Sequence, residues 1–251
     1  MKSQTLAVIP ARAGSVGVKN KNLRILGDKP LICHTIDFAI KNKLNFLIST
    51  EDEAIAGTIK NYYKWTFDWN KLNENEVIFL NDNGLLHKRP VADAQNNSLI
   101  SKVLFGLSHQ KILQKYEYFM LLQATSPFRE KQDLEQIFKF AENLGWSCIF
   151  SVKNVDGFHP NRMYEIQNNG RAHQLKGFDS EDNLPRQDLK QIFIKDGAYY
   201  LFMKKNLLKN IFIGKNPYVI VRESKMSVNI DSEIDLLLAN LVWKVRHETN
   251  S

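Results

Sequence analysis

Strand-like apolar runs alternate with helix-like patterns through the first part of this 251-residue chain, and this alternation limits its possible folds more than any other feature. The predicted strands are short and rich in apolar residues, and they cover 5–10, 45–49, 76–80, 118–123 and 148–152. The helix-like segments between them cover 30–41, 52–62, 98–107 and 133–144. Such alternation predicts an α/β fold, in which helices cover both faces of a mostly parallel sheet.

The pattern changes after the fifth predicted strand. Segments 163–166 and 171–175 flank Gln167-Asn168-Asn169-Gly170, which is typical of a hairpin turn. We therefore predict a single domain over 1–251, in which residues 156–190 form an arm rather than another strand–helix unit. Strands at 197–203 and 218–221 follow the arm.

Two further segments complete the prediction. Residues 62–86 are rich in Asn, Lys and aromatic residues and are interpreted as an excursion or surface flap. A C-terminal helix over 232–246 is predicted from the helical spacing of five apolar residues, Ile234, Leu237, Leu238, Leu241 and Val245.

The first predicted strand runs directly into a cationic, glycine-bearing loop over 11–22. Main-chain N–H groups of such a loop can surround phosphate oxygens, while Arg12, Lys19 and Lys21 supply positive charge. The glycine spacing does not fit a dinucleotide fingerprint, and no Gly-Lys-Ser/Thr closes a P-loop. The loop therefore indicates a polyphosphate ligand of another kind, with a surface turn of incidental charge as the alternative.

Composition narrows the function classes. The chain has 34 Lys+Arg against 27 Asp+Glu, a net charge of +7 that suits an anionic substrate, although a basic solvated surface explains it almost as well. No basic repeat, RNA-binding motif or zinc-finger spacing supports nucleic-acid binding. Cys33 and Cys148 are too few for a disulfide scaffold and lie in apolar segments, so we expect buried thiols. With no signal-like start and no membrane-spanning run, we expect a cytoplasmic protein that binds no membrane.

Five motifs occur in the order typical of CMP-sialic acid synthetases (acylneuraminate cytidylyltransferases, including other CMP-nonulosonate synthetases), and the chain resembles that family from residue 7 to 238. The loop resembles the signature Pro-Ala-Arg-x-Gly-Ser, followed by a basic stretch and Lys-Asn. Segment 121–129 resembles Leu-Gln-Pro-Thr-Ser-Pro-Leu-Arg, with Ala124 at the usual proline. The remaining matches are Arg89-Pro90 with Ser98, His159-Pro160 with Arg186-Gln187-Asp188 and Asp196-Gly197-Ala198, and Asn229-Ile230-Asp231.

The resemblance implies a Rossmann-like nucleotidyltransferase that joins CTP to an acidic nonulosonic sugar, giving a CMP-sugar and pyrophosphate. It implies catalytic roles for Arg12, Lys21 and Asp231, and Mg²⁺ or Mn²⁺ held by Asp231 and Asn229. The implied nucleotide-binding residues are Ala11, Arg12, Gly14, Ser15, Lys21, Asn22, Arg89 and Ser98. For Ser98, a helix cap is an equally good interpretation.

An acidic sugar needs a cation for its carboxylate, and arginine offers two parallel hydrogen bonds. The resemblance implies a sugar site made of Gln123, Arg162, Arg186, Phe193 and Tyr199, although core packing explains the two aromatic residues equally well. Thr125 and Ser126 are interpreted as turning the chain and capping the next helix, and Asp235 as lying on a solvated helix face. The family is usually homodimeric, with the arm reaching the neighbour's site, so we expect a homodimer.

Further positions besides Ala124 depart from the family pattern. Val16 stands where Lys or Arg is frequent, Asn229 where the first Asp of Asp-x-Asp is usual, and Asp196 where Asn is usual. Two alternatives therefore stay open. One is a nucleotidyltransferase for another acidic or phosphorylated sugar, and the other is a catalytically degenerate nucleotide-binding protein. No single residue selects among sialic, legionaminic and pseudaminic acids.

Overall fold

Strands and helices alternate in the computed structural model, which describes residues 1–14, 17–80, 84–95, 100–143, 145–175, 185–223 and 227–248. In chain order the strands are β1 Thr5–Pro10, β2 Ile25–Leu26, β3 Lys29–Pro30, β4 Asn45–Thr50, β5 Val77–Phe79, β6 Gly84–Lys88, β7 Tyr118–Leu121, β8 Cys148–Asn154, β9 Tyr164–Ile166, β10 Ala172–Gln174, β11 Phe193–Met203 and β12 Pro217–Arg222. The helices are α1 Leu31–Lys41, α2 Glu53–Tyr63, α3 Val91–Gln95, α4 Ile100–Ser108, α5 Lys131–Ala141, α6 Lys204–Leu207 and α7 Glu233–Glu248.

Eight strands form one mixed sheet in the order β12-β8-β11-β7-β1-β4-β6-β5. The pairs β1/β4, β1/β7, β4/β6 and β12/β8 are parallel, whereas β11 and β5 run antiparallel to their neighbours. The carboxyl ends of most strands therefore meet at one edge. The chain leaves β1 beside both β4 and β7, which is the position where an open α/β sheet binds its ligands.

The core lies on both faces of this sheet because side chains alternate along each strand. Ala7 and Ile9 of β1 face one cluster, which includes residues of α1, α2 and α5, and Leu6 and Val8 face another, which includes residues of α4 and α6. The predicted fold class is confirmed. The helix starts also follow local chemistry: Pro30 directly precedes α1, and the Asp52 carboxylate accepts a hydrogen bond from the Ile55 amide at 2.8 Å to cap α2.

The C-terminal helix α7 forms where it was predicted, but it buries a different face. Leu236 and Ala239 pack with Val18, Leu26 and Ile230 in a third cluster, against which Trp243 also packs. The predicted apolar spacing belongs instead to the solvent-exposed face, where the residues are 49–76% exposed: Ile234, Leu237, Leu238, Leu241 and Val245. Helix α7 is apolar on two faces, and the spacing used in the prediction identified the exposed face and not the buried one.

The interpretation of 62–86 as an excursion is wrong at its end. β6 (Gly84–Lys88) is an inner strand that pairs with β4 on one side and β5 on the other. Its five residues are too few to give a clear alternation, and the strand ends in the polar pair His87-Lys88. The segment before β5 is held by Lys88, whose ammonium donates to the carbonyls of Trp69 and Leu72 at 3.2 and 2.8 Å.

The arm contains the predicted hairpin. β9 and β10 pair antiparallel, and Gly170 at the turn has a φ of +81°. Both thiols are buried as expected, and burial raises the pKa of Cys33 and of Cys148 to about 12. None of the helices in the described ranges has the length and apolar character needed to cross a bilayer. The single-domain assignment stays a prediction.

Candidate active site

A cavity of about 480 Å³ opens at the carboxyl edge of the sheet, beside the end of β1. It is lined by predicted residues from four separate motifs: Arg12, Lys21, Asn22, Arg89, Gln123, Asn229 and Asp231. Backbone hydrogen bonds fix the chains that leave the strands. The Ala11 amide donates to the Ser49 carbonyl, and the Leu122 amide to the Val8 carbonyl, both at 2.9 Å. The fold thus brings Arg12 and Asp231, which lie 219 positions apart in the sequence, to one cavity.

The basic loop is tied to the far end of the chain by Lys21. Its ammonium donates to the Ile230 carbonyl at 2.7 Å and to Asp231 Oδ1 at 3.0 Å. The Lys21 side chain is 11% exposed, whereas that of Asp231 is 67% exposed. The Asn22 amide donates to the Arg12 carbonyl at 3.0 Å and holds the loop closed. Lys21 is therefore an immobilised cation, and Asp231 a carboxylate open to a ligand.

Gly17 allows this contact between the loop and the chain end. A Cβ at this position would lie 2.0 Å from the Asp231 carbonyl oxygen, which no side chain can tolerate without movement of the backbone. Gly17 also lines the cavity. The requirement for glycine here comes from a close backbone approach between two predicted motifs.

Asn229 links Asp231 to the middle of the chain. Its side-chain nitrogen donates to Asp231 Oδ2 at 2.5 Å, and its oxygen accepts from the Ser126 hydroxyl at 3.3 Å. Both Asn229 and Asp231 line the cavity, as expected from alternating side chains. No group of three or more His, Cys, Asp or Glu side chains suited to a metal occurs among the described residues.

Asp231 does not cap the last helix. Ser232 and Asp235 do so: the Asp235 carboxylate accepts from the Ser232 amide at 2.7 Å, and the Ser232 hydroxyl accepts from the Asp235 amide at 3.3 Å. Asp235 lies in the solvent-accessible first turn of α7, in line with its interpretation as a side chain on a solvated face, and in addition it caps the helix. Asp231 is left available to the cavity.

Arg89 reaches the cavity, but a carboxylate that the sequence analysis missed holds one side of its guanidinium. Glu51 Oε2 accepts from Arg89 Nε at 3.0 Å and also from Nη2, and the two side chains are only 7% and 5% exposed. Glu51 Oε1 accepts from the Ala13 amide of the basic loop at 2.7 Å. One feature of the sequence could have indicated Glu51: it directly follows β4, at the edge of the sheet where ligands bind.

Gln123 lines the cavity directly after β7 and Leu122, and its side-chain amide makes no hydrogen bond within the described ranges. Gly197 of β11, with a φ of +78°, allows a close approach, since a Cβ there would lie 2.8 Å from Gln123 Oε1. The chain turns here as predicted, with the Ser126 amide donating to the Gln123 carbonyl at 3.2 Å, but neither Thr125 nor Ser126 caps α5. Thr125 lines the cavity, and Ser126 donates to the Asp196 carbonyl at 3.0 Å and to Asn229 instead of capping α5.

Asp196, which departs from the family pattern, is a buried polar centre behind the cavity. Its carboxylate accepts from the Ser151 hydroxyl, the Ser227 hydroxyl and the guanidinium of Arg222, at 2.5, 3.0 and 2.7 Å. Burial alone would raise the pKa of Asp196, but the Arg222 charge and the Ser151 and Ala198 hydrogen bonds lower it below its ordinary value. The ion pair joins β11 to the end of β12, and the Ser227 hydrogen bond holds the chain two residues before Asn229. Sequence reasoning missed Arg222, which lies in no recognised motif.

Three predicted sugar-site residues do not line this cavity. Arg162 is exposed on the arm, and Phe193 is 39% exposed where β11 begins. Tyr199 is fully buried, and its hydroxyl donates to the Glu130 carbonyl at 3.1 Å, so it is a core residue that cannot contact a ligand here. Ala11 is buried beside the loop, and Gly14 is exposed in it with a φ of +67°. Ser15, Val16 and Ser98, and the side chain of Arg186, lie outside the described residues.

Comparison with known proteins confirms the resemblance that the motifs indicated. Residues 6–69 match a family model described as cytidylyltransferase. The chain is 28% identical over 242 residues to N-acylneuraminate cytidylyltransferase of Escherichia coli O18:K1:H7, covering 95% of this chain and 52% of that protein. It is 27% identical over 251 residues to pseudaminic acid cytidylyltransferase of Campylobacter jejuni (strain 81-176), covering 98% of this chain and 99% of that protein. The chain thus spans about half the length of the N-acylneuraminate relatives and nearly all of the second relative.

Solved structures share the fold. CMP:2-keto-3-deoxy-manno-octonic acid synthetase complexed with CTP superposes with a TM-score of 0.63 at 12% identity, covering 97% of this chain and 100% of the other. The 4-diphosphocytidyl-2C-methyl-D-erythritol synthase of Anaerococcus prevotii superposes with a TM-score of 0.56 at 13% identity, covering 96% of this chain and 98% of the other. At these identities the likeness supports the nucleotidyltransferase fold alone.

Proposed function

We propose that this chain is a cytidylyltransferase that joins CTP to an acidic nonulosonic sugar and releases pyrophosphate. The observation that carries the proposal is the cavity itself, which collects the basic loop, Gln123 and Asp231 at the carboxyl edge of a nucleotidyltransferase sheet. Relatives that cover almost the whole chain are named for pseudaminic acid and for N,N'-diacetyllegionaminic acid. The anomeric hydroxyl of the sugar attacks the α-phosphorus in line with departing pyrophosphate, so catalysis consists of positioning and charge neutralisation.

The loop residues bind the triphosphate. Lys21 is held by two hydrogen bonds before any ligand arrives, so its charge needs no reorganisation to meet the phosphates. Arg12 is exposed at the cavity wall and adds a second cation. Asn22 keeps the loop closed by its bond to the Arg12 carbonyl. These contacts stabilise the charge that develops on pyrophosphate as it leaves.

The donor set at the chain end suits Mg²⁺ or Mn²⁺. Mg²⁺ in nucleotide sites commonly takes one or two carboxylates, waters and substrate phosphates, and Asp231 offers one exposed carboxylate. Asp231 would hold the ion, with the Asn229 oxygen as a second ligand after leaving Ser126. When bound, the ion would supply positive charge that neutralises the phosphates. The neutral amide of Asn229 makes this site less negative than one with two aspartates.

The sugar side is incomplete within one copy. Within the described ranges the Gln123 side-chain amide has no hydrogen-bond partner and is available to sugar hydroxyl groups, but two of the three cations that line the cavity there, Lys21 and Arg89, already pair with Asp231 and Glu51. The triphosphate engages Lys21 and Arg12, so the sugar carboxylate needs positive charge from elsewhere. We infer that Arg162 and Arg186 of the arm of a second copy supply it, which makes the active form a homodimer. We also expect the reaction to take place in the cytoplasm.

The test is a substrate panel. Sialic, legionaminic and pseudaminic acids, and phosphorylated sugars, are each incubated with CTP, UTP and Mg²⁺, and released pyrophosphate is measured. We expect turnover only with CTP and one of the nonulosonic acids. Asp231→Ala should lower kcat by roughly 100-fold or more because the site loses its open carboxylate. Glu233→Ala, an exposed carboxylate two residues away that does not line the cavity, should leave turnover unchanged.

A nucleotide-binding protein without transfer activity is the second candidate, and the neutral Asn229 beside Asp231 is the observation that favours it. It predicts that CTP binds while no sugar of the panel releases pyrophosphate. Unchanged turnover in Asp231→Ala would contradict the assignment of Asp231 without contradicting the activity.

A further inference from the structure

Glu51 connects the two sides of the proposed nucleotide site. One carboxylate oxygen accepts from the Ala13 amide, which belongs to the basic loop after β1, and the other accepts from Nε and Nη2 of Arg89 after β6. The ion pair is almost completely buried, with side chains 7% and 5% exposed. A buried carboxylate that bridges a phosphate-type loop and a cavity arginine is a feature that none of the recognised motifs includes.

Strand register explains how Glu51 meets Arg89. Thr50 of β4 pairs with Lys88 of β6, so Glu51 and Arg89 are the first residues beyond two parallel strands. The Arg89 amide donates to the Thr50 carbonyl at 2.8 Å, which extends the ladder by one bond. Parallel strands thus deliver the carboxylate and the guanidinium side by side at the ligand-binding edge.

Some N–H donors of the Arg89 guanidinium bind Glu51, and the others are available to the cavity. Nε and Nη2 donate to Glu51, whereas Nη1 has no hydrogen-bond partner among the described residues. Arg89 lines the cavity although the whole residue is only 4% exposed. A fixed guanidinium with open N–H donors suits an acceptor edge of a nucleobase. Cytosine offers two neighbouring acceptors, O2 and N3, whereas uracil carries a proton on N3.

We propose that Glu51 is a positioning residue for the nucleotide, an inference that rests on the proposed function. Through Arg89 it fixes the donors that meet the base, and through Ala13 it fixes the loop that meets the triphosphate. Both parts of the nucleotide site are therefore held in one arrangement by one carboxylate. If Glu51 instead occupied N–H donors of Arg89 and Ala13 that the phosphates need, removing its carboxylate would tighten CTP binding.

The test is the substitution Glu51→Gln, because glutamine has one acceptor oxygen and can serve Ala13 or Arg89 but not both. We expect calorimetric CTP affinity to fall roughly 10- to 100-fold and KM for CTP to rise similarly. KM for the sugar should stay unchanged, and the preference for CTP over UTP should shrink. Glu53→Gln, an exposed carboxylate in the first turn of α2, is the matched control and should bind CTP like the wild type.

A double-mutant cycle separates positioning from general destabilisation. If Glu51 acts through Arg89, Glu51→Gln should lose most of its effect on CTP/UTP preference in an Arg89→Gln background. The inference would be overturned if the losses of CTP/UTP preference caused by Glu51→Gln and Arg89→Gln were additive. It would also be overturned if Glu51→Gln bound CTP as tightly as the wild type, or more tightly. In both cases the proposed function would stand. Failure of the wild type itself to bind CTP would overturn both.

Discussion

At the scale of single residues, the cavity pairs its charges before any ligand is present. Lys21 meets Asp231 and Arg89 meets Glu51, and each pair joins segments that are distant in the chain. A preorganised cation loses little when a triphosphate replaces water around it, because its orientation is already fixed. Asn229 adds a neutral bridge between Ser126 and Asp231 and keeps the Asp231 carboxylate in place.

His87 provides a residue-scale prediction on stability. Burial, and secondarily the charge of Arg89, lowers the pKa of His87 to about 4, from 6.5 in the unfolded chain. The unfolded state therefore binds more protons between these values, and the free energy of unfolding falls as pH drops from about 6.5 to about 4, by about 3 kcal/mol in full. The ring lies between the Ser49 hydroxyl and the Asn75 amide oxygen, at 2.9 and 3.1 Å.

We expect His87→Gln to reduce this pH dependence, as measured by urea unfolding at pH 7 and pH 4.5. Carboxylates that titrate in the same range contribute equally to both proteins, so the difference between the two proteins isolates the histidine. His173→Gln, on the exposed arm hairpin, is the control and should follow the wild type. Equal pH dependence in His87→Gln and the wild type would contradict the assignment.

The sequence analysis identified site residues that lie in recognisable local motifs. It missed residues whose role depends on an ion-pair partner from another strand. Arg12, Lys21 and Asp231 lie in recognisable segments and meet at one cavity. Glu51 has no such signature, since its position against Arg89 follows from the register of β4 and β6. The same holds for Arg222, whose partner Asp196 lies on another strand. A sequence contains no register, so buried ion pairs between strands stay hidden in it.

At the scale of elements, the basic loop depends on its contact with the chain end. We predict that Gly17→Ala displaces the loop, because the added methyl would lie 2.0 Å from the Asp231 carbonyl oxygen. CTP affinity should fall at least about 10-fold, with a loss of stability of about 1–3 kcal/mol. Calorimetry and urea unfolding measure the two effects.

Gly57→Ala in α2 is the matched control, since a Cβ there meets nothing within 4 Å. It should leave CTP binding unchanged and increase helix stability by about 0.5–1 kcal/mol. Wild-type CTP affinity in Gly17→Ala would mean that the loop does not need its close approach to Asp231.

Helices and strands were predicted correctly where the periodic pattern of apolar residues extends over many residues. The prediction failed where the pattern is short, and where a helix has two apolar faces. The helices α1, α2 and α5 and the strands β1 and β4 have clear patterns and nearly the predicted bounds. β6 has only five residues, so no alternation marked it. In α7, two apolar faces compete, and only packing against the cluster around Ile230 decides which one is buried.

At the scale of the whole molecule, we predict that the exposed face of α7 packs against a second copy of the chain. Five large apolar side chains follow one another along a 16-residue helix, which is unusual for a solvated surface. The stripe fits a second copy of itself. An antiparallel pairing that sets Leu238 beside Leu241 of the second copy also brings Ile234 opposite Val245 and Asp235 opposite Lys244. Such self-complementarity is what a two-fold interface requires.

We therefore predict a homodimer in which α7 meets α7 while the arm supplies its arginines to the neighbouring cavity. Light scattering coupled to size exclusion should give twice the mass of 29.1 kDa. Leu238→Lys with Leu241→Lys should shift the protein to monomer, because burying an ammonium at the interface is unfavourable. Phe79→Lys, which changes another exposed apolar residue on the β5 edge, should leave the dimer intact.

The arm offers a contrasting variant, because Ile166 on its hairpin is 78% exposed. If Ile166→Lys dissociates the dimer and the α7 variant does not, the arm alone forms the interface and the role of α7 is wrong. If the α7 variant becomes monomeric, sugar KM should rise more than CTP KM, because the neighbour's arginines are lost while Arg12 and Lys21 stay in place. A wild type that is monomeric at assay concentration and still turns over the sugar would contradict the shared site.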